Sequence, residues 1–267
     1  MVLRYFFYIF LLMAIYCNQV YCNIDDCLIN SGSGLAQIHN VAQMSNPILI
    51  ANNNNYHASF FYSPSKMGLK ELSTSSAIVG TKFFENSYSA ISFVGHPSKL
   101  FNEYTGSLHF AQRFEDNAIL AFSINYSAIS IENFSSYSML SFDLAGNIKI
   151  TDFLYSGFLI KNLNRAYYSK NEFVNQEVYI GMGIIPIENM SIDLDAIINL
   201  NRTSSGSIAI SYLIEDLIKV RTAYRNNPAI YEFGIDIVLM DYLSINNIVN
   251  HHNIFGFTYL FGTSFKF

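Results

Sequence analysis

Along the second half of the chain, apolar and polar positions alternate with a period of two. In "VYIGMGII", Val178, Ile180, Met182 and Ile184 share one face, and Tyr179, Gly181 and Gly183 the other. In "SIDLDAIINL", Ile192, Leu194, Ala196 and Ile198 oppose Ser191, Asp193, Asp195 and Asn199. "SIAISY" sets Ile208, Ile210 and Tyr212 against Ser207, Ala209 and Ser211. "IKVRTAYR" sets Ile218, Val220 and Tyr224 against Lys219, Arg221 and Arg225. "YEFGIDIVL" sets Tyr231, Phe233, Ile235, Ile237 and Leu239 against Glu232, Gly234, Asp236 and Val238. The chain closes on "FGFTYLFGTSFKF", where Phe255, Phe257, Tyr259, Phe261, Phe265 and Phe267 share a face interrupted by Thr263. A period of two is the strand period, so each segment reads as a strand with one apolar face and one small or polar face.

From about residue 176 onward the strands run ~9–12 residues, the length that crosses a bilayer at a tilt. "IPIENM", "NRTSSG", "RNNPA" and "LMDY" supply turns between them. Residues 104–163 read the same way, with Leu120, Phe122, Ile124 and Tyr126 on one face of "LAFSINY". "YHASFFY", "SSAIVGTKFF" and "SYSAISFVG" add three earlier strands. The count is about 14. Residues 31–55 lack alternation and read as an N-terminal segment that plugs or covers the barrel mouth, with one short helix near Leu35–Gln43. "SGSG" at 31–34 lacks the Lys-Ser/Thr and the strand–helix setting of a phosphate loop, and reads as a linker. The stretch 164–176 is expected to be an exposed loop.

Such strands need an environment, and the composition narrows it. Charged residues are only 13%, aromatics reach 16%, and the formal net charge of -5 offers no basic patch, so no nucleic-acid partner is expected. After Arg4, the run "YFFYIFLLMAIYC" has the length of a signal-peptide core. This predicts a leader over 1–22, an N-terminal segment over 23–55, a barrel over 56–267, and a mature chain of about 245 residues. Only Cys27 then remains, too little for a disulfide framework or a metal site. Beyond the leader no apolar run reaches a helical span, so the membrane is expected to be crossed by strands. An unpaired backbone edge in hydrocarbon costs several kcal/mol, so the last strand must pair with the first. The expected fold is all-β: a transmembrane antiparallel up-and-down barrel with its N-terminal segment at or in the lumen. The aromatic face of the last strand would anchor it in lipid.

The polar faces then line the lumen. The lumen-facing candidates are Glu177, Asp193, Asp195, Glu232 and Asp236 with Lys219, Arg221 and Arg225, together with His109 and Arg113. Acids and bases on neighbouring strands either satisfy one another and hold register or line a polar passage. His251 and His252 are adjacent, and adjacent strand residues point to opposite faces, so they make a poor chelator. No spacing organises a nucleophile, base and acid, so neither an enzyme nor a cofactor or metal is expected.

"NPILIA", "YHASFFYSPSKMGLKEL", "SFDLAGNIKITDFLYSGFLIKNLNRA", "VYIGMGIIPIENMSIDLDA", "RTAYRNNPAIYEFGIDI" and "HHNIFGFTYLFGTSFKF", in this order, resemble outer-membrane barrels of Bacteroidota and relatives. The similar group is the PorV/PorQ-type proteins of the wider long-chain fatty-acid transporter-like (FadL-like) fold. The chain departs from it in having "LAQIHNVAQMS" before the "NPI" element, where small residues and "NPA" are usual, and in its shortness. The resemblance implies a bacterial outer-membrane barrel that passes a hydrophobic or small solute or docks type IX secretion cargo. Its implied partners are outer-membrane lipid, the barrel-assembly machinery acting on the C-terminal strand, and a hydrophobic ligand or exported protein. The alternatives are a structural or adhesive surface barrel without a pore and a soluble secreted β-sandwich.

Overall fold

The computed structural model describes residues 29–37, 40–52, 56–65, 72–98, 101–115, 117–132, 136–169, 172–200, 203–254 and 256–267. The expected leader over 1–22, Cys27, His39 and Phe255 lie outside the described residues. The strands are β1 (His57–Ser63), β2 (Thr74–Phe84), β3 (Ser87–His96), β4 (Phe101–Phe114), β5 (Ala118–Ile131), β6 (Tyr137–Thr151) and β7 (Leu154–Lys161). There follow β8 (Tyr167–Ser169), β9 (Glu172–Phe173), β10 (Glu177–Ile187), β11 (Met190–Asn199) and β12 (Ser205–Ile214). The last are β13 (Ile218–Arg225), β14 (Ile230–Met240), β15 (Leu243–His252) and β16 (Gly256–Lys266). Fourteen of them form one closed antiparallel barrel in which each strand pairs with its neighbours in sequence. β8 and β9 form a separate small hairpin within the connection from β7 to β10, over the stretch expected to be a loop.

Closure is made by β1 and β16, in register from His57↔Lys266 to Tyr62↔Phe261. Tyr56 and Phe267 exchange both backbone hydrogen bonds just beyond the strand ends. The first strand thereby covers the backbone edge of the last, and no strand of the ring is left with a free side in hydrocarbon. At one rim strands are joined by tight turns at 85–86, 152–153, 188–189, 215–217 and 241–242; the other rim carries the longer connections.

The two faces of the wall differ in the way period-two alternation requires. Large apolar side chains stand exposed on the outside of β1–β6, β10–β12 and β14–β16. On β16 the outward Phe261 is 50% exposed, while the inward Ser264 is 1% exposed. An apolar belt of this extent far exceeds the few hundred Å² that water-soluble monomers leave exposed, and it suits acyl chains.

The core lies inside the ring. Residues 29–52 run through the lumen, and most of their described side chains are buried. Ile48, Leu49, Ile50 and Ala51 pack against the inward Ile78, Ala90, Ala111, Ala121, Ala145 and Leu159. The small alanines on β3–β6 leave room for the inserted segment.

The short helix expected near Leu35–Gln43 is met in part, by a five-residue 3-10 helix at Asn40–Met44. Leu35 and Ala36 lie in a turn, and two 3-10 helices follow at Asn40–Met44 and Pro47–Asn52. The Ala36 N–H donates to Asp193 Oδ2 at 2.8 Å.

Candidate functional site

The "SGSG" stretch lies inside the lumen against β7, β10 and β11 and is not a linker. Its backbone is buried and tied to β11. Gly32 N–H donates to Asp195 Oδ1 at 2.7 Å, and Ser33 Oγ–H to Asp193 Oδ1 at 2.5 Å. A linker reading fails because these acids lie about 160 residues away in sequence and meet the turn only through barrel closure. The wall yields to this turn through glycine. Gly157 on β7 and Gly181 on β10 face one another in register, and Gly183 lies two residues on. A Cβ at 157 would overlap the Gly32 carbonyl, and one at 183 would stand 2.9 Å from Ser33 Oγ. Glycine within a strand often marks close backbone approach, and Gly181 and Gly183 sharing a face was the sequence signal for this contact.

β13 and β14 hold the start of the segment. Arg221 and Glu232 form an ion pair that is fully buried. The pair grips a single residue: Ile29 N–H donates to Glu232 Oε2 at 2.9 Å, and Arg221 Nη2 donates to the Ile29 carbonyl at 2.8 Å. Further main-chain carbonyls are met by Asn147 Nδ2 at Ser33 (3.1 Å), Ser191 Oγ at Leu35 (3.3 Å) and Lys219 Nζ at Gln37 (3.4 Å). Lys219 pairs in register with Asp236, whose Oδ1 accepts from Asn246 Nδ2 at 2.6 Å; Ser264 donates in turn to Asn246 Oδ1 at 2.8 Å. A polar row thus runs round the wall from β13 to β16.

Across the lumen the contacts change character. The Pro47–Asn52 turn packs on β3–β6 through the apolar cluster, and Arg113 on β4 donates to the Ala51 carbonyl at 2.6 Å. The Arg113 guanidinium also lies 5.8 Å from the centre of the Tyr88 ring. The Asn40–Met44 turn touches β1, and Ser33 and Leu35 touch β10. β1 and β10 stand opposite one another in the ring order, so the segment crosses the whole lumen.

The remaining candidates sit apart from it. Glu177 accepts from Tyr179 O–H at 2.8 Å and from Asn199 at 3.3 Å near the rim of long connections. Arg225 is buried at the end of β13, opposite Ser207 and Ile230 in register. His109 is buried in the wall of β4, its ring bridging Ser92 Oγ at 2.8 Å and Ser123 Oγ at 2.7 Å. His252 points inward and His251 outward, where the His251 ring lies between Tyr231 and Phe257. Phe257, Tyr259, Phe261 and Phe267 are exposed on the outer surface, and Phe265 is half-buried beside them. Among the described residues no group of three or more His, Cys, Asp or Glu is placed to hold a metal ion.

No protein-family model and no curated protein matches the chain. Solved structures share its fold. The toluene transporter TbuX of Ralstonia pickettii superposes with a TM-score of 0.68 at 7% identity, over 86% of this chain and 94% of TbuX. The monoaromatic hydrocarbon channel CymD gives a TM-score of 0.68 at 7% identity, over 90% and 98%. The toluene transporter TodX of Pseudomonas putida gives 0.64 at 9% identity, over 95% and 100%. At such identities the likeness is one of fold: a transmembrane β-barrel.

Proposed function

We propose that this chain is a bacterial outer-membrane barrel that passes a small solute and is closed at rest by residues 29–52. In this reading the leader directs export, β16 is the strand on which the barrel-assembly machinery acts, and outer-membrane lipid covers the aromatic belt. The observation that carries it is the inner segment itself. It spans the ring from β1 to β10, yet it rests in a cradle of glycines, alanines and side-chain hydrogen bonds, and contributes no strand to the barrel. Such a segment can leave without breaking a strand pair. A barrel built only as a scaffold gains nothing from a wall thinned to glycine at this contact.

Apolar solutes are the class named for TbuX, CymD and TodX, and the cluster around Ile50 is the part of this lumen that suits them. Docking of type IX secretion cargo, the PorV/PorQ-type role, and a poreless adhesive barrel both require a lumen that stays shut.

Planar-bilayer recordings separate these readings. The full-length protein is expected to be silent or to open rarely. Gly157→Leu, which drives a side chain into the Gly32 carbonyl, is expected to give stepwise currents, and so is deletion of residues 31–55. Silence of both variants, in protein shown to fold by heat-modifiable gel migration, would leave docking or adhesion.

A further inference from the structure

The wall around residues 29–37 reads main chain. Three carboxylates, Asp193, Asp195 and Glu232, accept backbone N–H groups from Ala36, Gly32 and Ile29. Arg221, Asn147, Ser191 and Lys219 donate to backbone carbonyls. Two serine side chains are hydrogen-bonded as well, Ser33 on Asp193 and Ser31 on Asp195 at 3.4 Å, and the Ile29 and Ala36 side chains pack on Ala209, Ala223 and Ile230. A site built only to keep one segment in place could rely on such apolar packing, which dominates at Pro47–Asn52. Here charged groups are buried to meet groups that every peptide carries.

The Arg221–Glu232 pair is the sharpest element. It takes the N–H and the C=O of one residue, Ile29, with an anion and a cation respectively. An α-ammonium in place of the N–H and a carboxylate in place of the C=O would meet the same two groups as full charges. The cluster also holds capacity that residues 29–37 leave unused. Arg221 Nε and Asp195 Oδ2 are buried and without a hydrogen-bond partner among the described residues. A spare donor and a spare acceptor on residues that hold the segment match a ligand richer in charge than an internal peptide unit.

We propose that this half of the lumen is a binding site for a zwitterionic amino-acid or short-peptide solute, and that residues 29–37 occupy it as an internal stand-in. The ammonium meets Glu232 and the Asp193–Asp195 pair; the carboxylate meets Arg221. The solute and the segment compete for the same groups, so arrival of the solute loosens the closure. This rests on the passage reading in that the segment must be able to leave.

The test uses the full-length barrel in lipid vesicles, with its native cysteines replaced by serine and Ala36→Cys as reporter. Ala36 is wholly buried, so maleimide labelling there measures release. The dipeptide Ala-Ala is expected to raise the labelling rate severalfold and in a saturable way. Its doubly blocked analogue, acetyl-Ala-Ala-amide, a neutral disaccharide and toluene are expected not to. Arg221→Met with Glu232→Leu, a double change that leaves no unpaired charge, is expected to remove the dipeptide effect. Equal response to blocked and zwitterionic dipeptide, or no response to either, overturns the assignment. If Gly157→Leu still conducts in that case, the passage reading stands and only the solute class falls. Should Gly157→Leu and the deletion of 31–55 also be silent, the passage reading itself fails.

Discussion

The two ends of the inner segment are held by different balances of contact: Ile29 and Ala36 have a small apolar cluster with Ala209, Ala223 and Ile230, but polar contacts dominate there. Residues 29–37 are fixed on β11, β13 and β14 by carboxylates, a guanidinium and hydrogen bonds to main chain. Residues 47–52 are fixed on β3–β6 by aliphatic side chains set into a floor of alanines. Hydrogen-bonded contacts lose the full desolvation cost of a group whose partner is removed, while apolar contacts lose in proportion to the cavity left behind. The first end can be exchanged for another ligand that offers the same polar groups; the second resists any ligand that does not fill its volume. One end is thus suited to release and the other to retention.

This contrast can be broken from either side. The largest effect is expected from Arg221→Ala. It leaves Glu232 buried without its cation, at a cost of about 3–5 kcal/mol, and frees residues 29–37 while 47–52 stay seated. Hydrogen-exchange mass spectrometry of the two segments is the measure: protection is lost in the first and kept in the second. Ile50→Ala is expected to do the reverse, costing about 2–5 kcal/mol through a cavity at a site with no exposed surface. Asp193→Ala strands the Ala36 N–H and the Ser33 hydroxyl, at about 1–3 kcal/mol, and is expected to loosen the first end without opening the barrel fully. Combining Asp193→Ala with Ile50→Ala is expected to be additive within about 0.5 kcal/mol, because the sites share no partner. Loss of protection in both segments from either single change would show that the two ends act as one unit. The smallest effect is expected from Phe261→Leu on the outer face, a change of one apolar side chain for another against lipid, leaving exchange in both segments unaltered.

The sequence made the wall legible and left its contents unread, for a physical reason. Strand alternation is local: Ile192, Leu194, Asp193 and Asp195 declare their faces within four positions, whatever the rest of the chain does. Closure follows from the cost of a bare edge in hydrocarbon, and the β1–β16 pairing shows it. Ser31 to Gly34 carry no period, and their carboxylate partners on β11 lie 160 to 164 residues away, so no window of sequence joins them. The helix expected near Leu35–Gln43 is described only over Asn40–Met44, and the group that holds the Ala36 N–H belongs to distant β11. Acid–base pairing between neighbouring strands holds for Arg221 and Glu232; Asp193 and Asp195 instead face the inner segment. The lumen-facing Gly181 and Gly183, conspicuous in an otherwise apolar strand, were the one local trace of what lies inside.

Residues on opposite sides of the wall give the most direct test. Place one fluorophore at position 261 and another at position 36 of the lipid-embedded protein. Quenchers confined to acyl chains are expected to dim the label at 261, and neither these nor aqueous iodide should dim the label at 36. Iodide quenching at 261 with no response to the lipid quenchers would contradict a lipid-facing wall around a filled lumen.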